Sequence, residues 1–403
     1  MSAMVIYVLA KTAYVMKAIL PRNLISTDEM ASPVKTMQNS ERDYSIILSK
    51  ETLARIEQYA VSLNQGGPYG ARLAEGISAL EPRGRGARSF DLKTLDKWQL
   101  LSILINSKTP QIFAESQVVG DGSDWTLTEL GLLGDFSIGM AVTVYDNGAH
   151  ENPFTHSPPF TGHLIYTPGA LLRNDRGHIP ADWHAVTADD DYDKDKYYQL
   201  YERRFLPAFS YIDCLAIARG RPAFVTIPGM GCGQFAGPFK GQMGHIFRAA
   251  LMRFLETHGD KFCGIKAVYY DPYNECVNET HRIKNIEFMI RPLAPYNPGK
   301  SQLCKPEVLG GDSSTDFSDC ELYSFVAWDH VSWPGNDYYL GARVTDDGVK
   351  AAATDTMRMM TGVDGYYCRQ TNMYRAPKPH KNWEEVVTRN ELYIRAKDNL
   401  FIV

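Results

Sequence analysis

A chain of 403 residues, 44% hydrophobic and 22% charged, can bury a sizeable core and has the size of one elaborated domain or two to three smaller ones. Its formal net charge of −5 excludes the broad basic face that nucleic-acid binding requires. Seven cysteines, odd in number and without a Cys-x-x-Cys pair, argue against a disulfide framework or a zinc ribbon and for a reducing compartment, the cytoplasm.

In chain order, the apolar stretch "MVIYVLAKTAYVMKAIL" is interrupted by Lys11 and Lys17 and closed by Pro21. It is too short and too charged to span a membrane, and no small-residue cleavage site follows a clean apolar run, so it reads as a packed or frayed terminal helix. Residues 28–45 are polar and read as a linker. Helical spacing marks 46–64 and 91–107, and the Gly/Pro/Arg-rich stretch 66–88 between them reads as a mobile loop. From about residue 135 short strands alternate with helices. Strands are expected at 136–146, 162–169, 222–228, 264–271, 285–293 and 320–329. Helices are expected at 195–218, where Tyr198, Tyr201, Phe205, Phe209, Ile212 and Leu215 form one apolar face, at 242–258, and at 346–362, which has an acidic start and a glycine stop. This alternation implies an α/β layered domain. The run "DDDYDKDK" (189–196) reads as a solvated approach to its helix.

The most specific local signal is "VTIPGMGCGQFAGPFKGQ" (225–242), five glycines in eighteen positions between a strand and a helix, with Gly244 just beyond. A glycine-rich turn in that setting offers backbone N–H groups to an anion; a tight packing corner would account for only one or two of the glycines. A P-loop is excluded, because "GPFKGQ" lacks the Gly-Lys-Ser/Thr ending. Gly231-x-Gly233-x-x-Ala236 meets the looser dinucleotide fingerprint, yet the acidic residue that should grip the ribose at the end of the next strand, about 20 residues on, is missing, and Asp271 is 35 positions beyond Ala236. A nicotinamide-dependent oxidoreductase is therefore the weaker alternative.

The segment "FVTIPGMGCGQFAG", the helix after it and "IKAVYYDPYNE" resemble the second half of a macrodomain, the ADP-ribose-binding fold, and "GHLIYTPGALL" resembles the strand before that half. The resemblance implies a diphosphate loop at Gly229, Met230, Gly231, Cys232, Gly233, Gln234 and Phe235, a following helix whose N-terminus points at the phosphates, and Tyr273 or Asn274 beside the adenine. The family's other loop, an Asn-containing strand end with glycines and a helix, ordinarily comes first. Here its counterpart is "FVAWDHVSWPGNDYYLGARVTDDGVKAAATD" (325–355), with Asn336 on the distal ribose. That order implies circular permutation: a macrodomain-like mixed sheet sandwiched by helices, with a mainly helical amino-terminal extension. The implied divisions are a tail and linker (1–45), the extension (46–130) and the ADP-ribose-binding domain (131–403). The likeness covers roughly residues 160–360.

Asp329, Asp337 and Asp347 stand at a strand end, a loop and a helix start, where acidic residues are also common for purely structural reasons. Their spacing resembles the catalytic aspartates of a macrodomain effector that removes ADP-ribose from an arginine of ubiquitin. The implied activity is hydrolysis of the N-glycosidic bond between ADP-ribose and a protein arginine, without metal or cofactor. Carboxylates would stabilise oxocarbenium character and hold the guanidinium. The expected assignment puts Asp337 on the distal ribose and water, with Asp329 and Asp347 on the guanidinium side. The implied partners are ADP-ribose and an ADP-ribosylated protein, with ubiquitin the named candidate; a secreted effector would act in the host cytosol. The alternative on the same fold is a non-catalytic ADP-ribose reader. Weaker candidates are a Cys232–His245 pair, a cation loop at Asp312, Asp316 and Asp319, three histidines without ligand spacing (His156, His163, His184), and Trp328 and Trp333 closing over a ligand.

Overall fold

A computed structural model describes residues 42–79, 94–294, 296–396 and 399–403. The amino-terminal apolar stretch, most of the 28–45 linker and residues 80–88 of the Gly/Pro/Arg stretch lie outside them. The strands are β1 (Ser45–Leu48), β2 (Ser137–Asp146), β3 (Thr155–Pro168), a small hairpin β4 (Thr187–Ala188) and β5 (Asp191–Tyr192), β6 (Ala223–Pro228), β7 (Ile265–Asp271), β8 (Glu279–Ile283), β9 (Ile286–Ile290), β10 (Glu321–Trp328), a second hairpin β11 (Tyr366–Cys368) and β12 (Met373–Arg375), and β13 (Leu400–Ile402). Nine of them form one mixed sheet in the order β13-β1-β2-β3-β10-β6-β7-β9-β8. Its centre, β3-β10-β6-β7-β9, is parallel, and both flanks carry antiparallel pairs. Because the central strands are buried on both faces, they read as nearly continuous apolar runs; every residue of β6 and of β9 is buried.

Two hydrophobic clusters cover the two faces. One face is packed by the helices Lys194–Arg219 and Met243–His258, through Tyr201, Phe205, Phe209, Phe247 and Phe254. The other is packed by the amino-terminal helices, through Ile56, Leu100 and Leu104, together with Ala351, Met357 and Val386 from the carboxyl-terminal part. The late strand β10 sits between β3 and β6, so the segment that follows it in the chain lies beside the glycine loop that follows β6. This is the spatial order that the permuted reading requires.

Four local expectations are corrected. The first three residues of the stretch expected to be helical (46–48) join Ser45 in β1, because Ser-Ile-Ile-Leu pairs with β2 and β13 before Ser49 caps the helix Lys50–Asn64. Ala71–Ala79, inside the expected loop, is a helix: Leu73 and Ile77, one turn apart, are buried, and a Cβ on Gly76 would come within 2.4 Å of the Ile103 side chain. Strand β3 begins at Thr155, seven residues before the strand expected at 162–169. The helix expected over 346–362 breaks into Asp346–Ala353 and Thr356–Thr361, because Thr354 bridges to Val144 and the Asp355 carboxylate accepts the Thr143 N–H at 2.6 Å. Strand β8 had no recognised signal. Among the described residues no helix is long and apolar enough to cross a membrane.

Candidate functional site

The parallel strands end together, and their carboxyl-side loops enclose a cavity of about 680 Å³. This is where open α/β sheets place ligands. The loop after β6 supplies Gly229, Gly231, Gly233, Gln234 and Phe235; the end of β10 and its loop supply Ala327, Trp328, Asp329, Asn336, Val344 and Thr345, and the next helix Asp346 and Asp347. The loop after β3 adds Arg173, and the amino-terminal segment adds Phe113 and Glu115.

The glycines of the β6 loop serve two different ends. At Gly231 φ is +71°, and a Cβ there would come within 2.9 Å of the Ala170 N and O atoms and 3.1 Å of the Tyr201 hydroxyl. The loop is thus pressed against the β3 loop, and the Tyr201 hydroxyl, accepting from Ala170 N at 3.0 Å and donating to Met230 O at 2.9 Å, joins the two. Gly233 faces the cavity instead, and a Cβ there would meet nothing within 4 Å. No hydrogen bond from the N–H of Gly231, Gly233 or Gln234 to the chain occurs among the described residues. Unpaired amides grouped on one loop in this way are free to meet an anion.

Met230 is fully buried beneath the loop, and Cys232 is half-buried. Burial pushes the Cys232 thiol well above its ordinary range, and its Sγ contacts Met230 O at 3.6 Å. His245 contacts Cys276 Sγ at 3.5 Å, so the conjectured Cys232–His245 pair does not form. The helix after the loop also departs from expectation. A 3-10 segment, Gln234–Phe239, intervenes, and the Gly244 N–H in the helix's first turn is taken by the Glu275 carboxylate at 2.8 Å. That N-terminus is therefore already neutralised and does not line the cavity. Tyr273 and Asn274 follow β7 at the same sheet edge but outside the cavity lining; Tyr273 is 62% exposed. The backbone of Pro272 lies 3.7 Å from where a Gly229 Cβ would stand.

The three aspartates have distinct surroundings. Asp329 is buried; its Oδ1 accepts the N–H groups of Val331 (2.7 Å) and Ser332 (2.6 Å), and its Oδ2 accepts Asn336 Nδ2 (3.0 Å). Burial raises its pKa, while those donors and the nearby Lys108 ammonium pull it back. Lys108 lies 4.1 Å from the centre of the Trp328 ring and donates to His330 O; burial brings it down to about 7. Asp337 does not line the cavity. Its Oδ2 accepts Val344 N and Thr345 N, each at 3.0 Å, and its Oδ1 lies 2.9 Å from Thr345 Oγ1, so it ties down the 344–348 loop.

Asp347 lines the cavity, is 2% exposed, and has its Oδ1 2.7 Å from Thr345 Oγ1; its buried Oδ2 has no hydrogen-bond partner. Burial first, then the charges of Asp329, Asp337 and Asp346, drive its pKa well upward. The hydrogen bonds agree. Thr345 Oγ1 has one proton and accepts the Gly348 N–H at 3.1 Å, so it cannot donate to both Asp337 and Asp347. One of the two carboxyls must then supply a proton of its own, and burial among other acids favours the protonated form of Asp347. Asp346 accepts Ala327 N at 2.8 Å and pairs with Lys350 at 3.2 Å.

Trp328 lines the cavity, whereas Trp333 is buried with Nε1 donating to Lys108 O at 3.1 Å. Asp312, Asp316 and Asp319 are engaged with Arg291 and Lys300, with Ser318, and with Lys266 respectively. His156 bonds Leu303 O, and His163 stacks on Tyr323. Among the described residues no cluster of three or more His, Cys, Asp or Glu side chains is arranged to hold a metal.

Sequence reasoning missed Phe113, Glu115, Arg173, Thr345 and Asp346. Arg173 follows a strand already singled out, and Asp346 adjoins Asp347. Phe113, whose ring centre lies 5.5 Å from that of Phe235, carried no signal, being more than a hundred positions away in the chain. The family model described as macrodomain effector MavL matches residues 44–380 of this chain. No curated protein matches it.

Proposed function

The chain belongs to the MavL macrodomain effector family, and we propose that it hydrolyses the N-glycosidic bond between ADP-ribose and a protein arginine, with ubiquitin as the candidate protein. Family membership carries an ADP-ribose-related function; the arginine linkage, the hydrolysis and the protein partner are the proposal. The observation that supports catalysis over simple binding is the environment of Asp347. Burial among other acids pushes its carboxyl towards the protonated form, one of its oxygens is unbonded to the chain, and it lines the same cavity as the unbonded amides of the glycine loop. A reader would gain nothing from a buried, unpaired acid, which weakens folding.

In this reading the diphosphate rests on the N–H groups of Gly231, Gly233 and Gln234, and Tyr273 offers an exposed aromatic surface towards the base, with Asn274 next to it. Asn336, oriented by Asp329, faces the distal ribose. As the bond from the ribose C1″ to the guanidino nitrogen breaks, Asp347 gives its proton to that nitrogen. The resulting carboxylate takes a proton from the water that adds to C1″, which restores the acid and balances the reaction. Asp346 and Asp329 place negative charge beside the developing oxocarbenium. Asp337 fixes the loop that presents Asp347, a role different from the water-positioning one its spacing suggested. As a family of effectors implies, the place of action is the cytosol of a host cell.

The deciding experiment is incubation with arginine-ADP-ribosylated ubiquitin and with serine- and glutamate-linked controls, following released ADP-ribose. Release from the arginine conjugate is expected, with loss on Asp347→Asn. Tight ADP-ribose binding with no release from any conjugate would leave a reader and sink the hydrolase reading.

A further inference from the structure

The cavity sets four carboxyl groups (Glu115, Asp329, Asp346 and Asp347) against one guanidinium, that of Arg173, among its described lining residues. This is a poor electrostatic host for a diphosphate. Charges a few ångströms apart in a partly desolvated cleft interact strongly, and backbone amides carry no net charge to offset the acids. The glycine loop contributes no Lys or Arg between Gly229 and Phe239.

Arg173 enters from the loop after β3. Its Nη1 donates to Gln234 Oε1 at 2.8 Å, so it is bonded directly to the glycine loop. Its Nε donates to Asp175 Oδ1 at 2.7 Å and lies 3.9 Å from Glu115 Oε2. These two hydrogen bonds use two of the five N–H donors of the guanidinium, and the side chain is 40% exposed. We propose that Arg173 is the charge partner of the bound diphosphate, a binding residue supplied from outside the glycine loop. Its planar fork suits two phosphate oxygens at once, which an ammonium would not match. Asp175 and Gln234 set its direction before the ligand arrives. Glu115 accepts the same arrangement because burial and then the Asp175 carboxyl hold its pKa up to about 7. Near neutral pH it carries a proton part of the time, so Arg173 is not cancelled by two full negative charges.

The proposal rests on the ADP-ribose reading of the site, and its test separates the two. Free ADP-ribose is titrated calorimetrically into the full chain, Arg173→Gln and Arg173→Lys, at about 50 and 500 mM salt, with thermal melts of each ligand-free protein. Arg173→Gln is expected to weaken binding about 10–100-fold and to flatten its salt dependence, with the melt unchanged; Arg173→Lys should recover part of both. Wild-type binding with an Arg173→Gln affinity within about twofold of it and an unaltered salt slope would overturn the proposal while leaving the ADP-ribose reading standing. A lysine variant as weak as the glutamine one, with both melts lowered, would assign Arg173 to holding the loop and also overturn it. Wild-type protein that binds no ADP-ribose would overturn both readings.

Discussion

Two glycines two positions apart should respond to the same substitution in opposite ways. Alanine at 231 must adopt φ +71°, which costs an L-residue roughly 1–2 kcal/mol. Its methyl would also stand 2.9 Å from the backbone N and O of Ala170, atoms that cannot swing aside as a flexible side chain would. Strain of that kind adds about 1–2 kcal/mol, so Gly231→Ala should lose about 2–4 kcal/mol of stability. Alanine at 233 has a negative φ and meets nothing within 4 Å. It should cost under about 1 kcal/mol of stability. Its methyl, however, points into the cavity proposed for ADP-ribose, and a lost contact of about 1.4 kcal/mol is tenfold in affinity. Urea unfolding and calorimetric titration of ADP-ribose measure the two effects separately. Gly231→Ala should shift the unfolding midpoint strongly, and Gly233→Ala should shift mainly the ADP-ribose Kd. Equal destabilisation by both, or a Gly233→Ala protein that binds ADP-ribose as tightly as the wild type, would refute the division of the loop into a packing glycine and a ligand-facing one.

Asp347→Asn should abolish turnover yet protect the fold. A carboxyl whose pKa is raised on folding gives stability that is present below its unfolded pKa and lost as pH rises through the folded one, so the thermal advantage of the Asn variant should grow from pH 4 upward; melts that stay parallel across pH would contradict this. Tyr201→Phe removes the bridge between Ala170 N and Met230 O, leaving the Ala170 N–H unpaired and Met230 O with only the weak Cys232 thiol, for a loss of about 1–3 kcal/mol in denaturant unfolding; a loss under about 0.5 kcal/mol would mean that water or a neighbour replaces the hydroxyl. Asp337→Ala should free the 344–348 loop and lower turnover about as much as Asp347→Asn does, while ADP-ribose affinity changes little, because Asp337 touches loop amides and not the cavity; a large loss of affinity measured by titration would return Asp337 to the ligand.

The elements legible in the sequence were those whose pattern is local. The central strands β6, β7 and β10 are apolar runs bounded by turns, and the helix Lys194–Arg219 announces itself by aromatics three and four apart. The glycine loop was legible because five glycines so close together have few local explanations. Less legible were segments whose conformation is imposed from outside. The break at Thr354–Asp355 exists because β2 captures both residues, and Ala71–Ala79 is helical because Leu73 and Ile77 have a core to enter.

By itself the sequence determined that an α/β sheet would carry a glycine-rich loop after one of its strands, and that a second, acidic loop lay a hundred residues downstream. Only the tertiary structure decided which acids share the cavity. Asp337 points its oxygens at the amides of its own loop, Asp347 is stripped of solvent so that its pKa rises, and Glu115 and Arg173 arrive from parts of the chain with no local mark of function. The reason is physical. Spacing along a chain reports which residue types are available, but the ionisation of a carboxyl depends on what surrounds it within a few ångströms, and that environment is assembled from strand ends far apart in sequence.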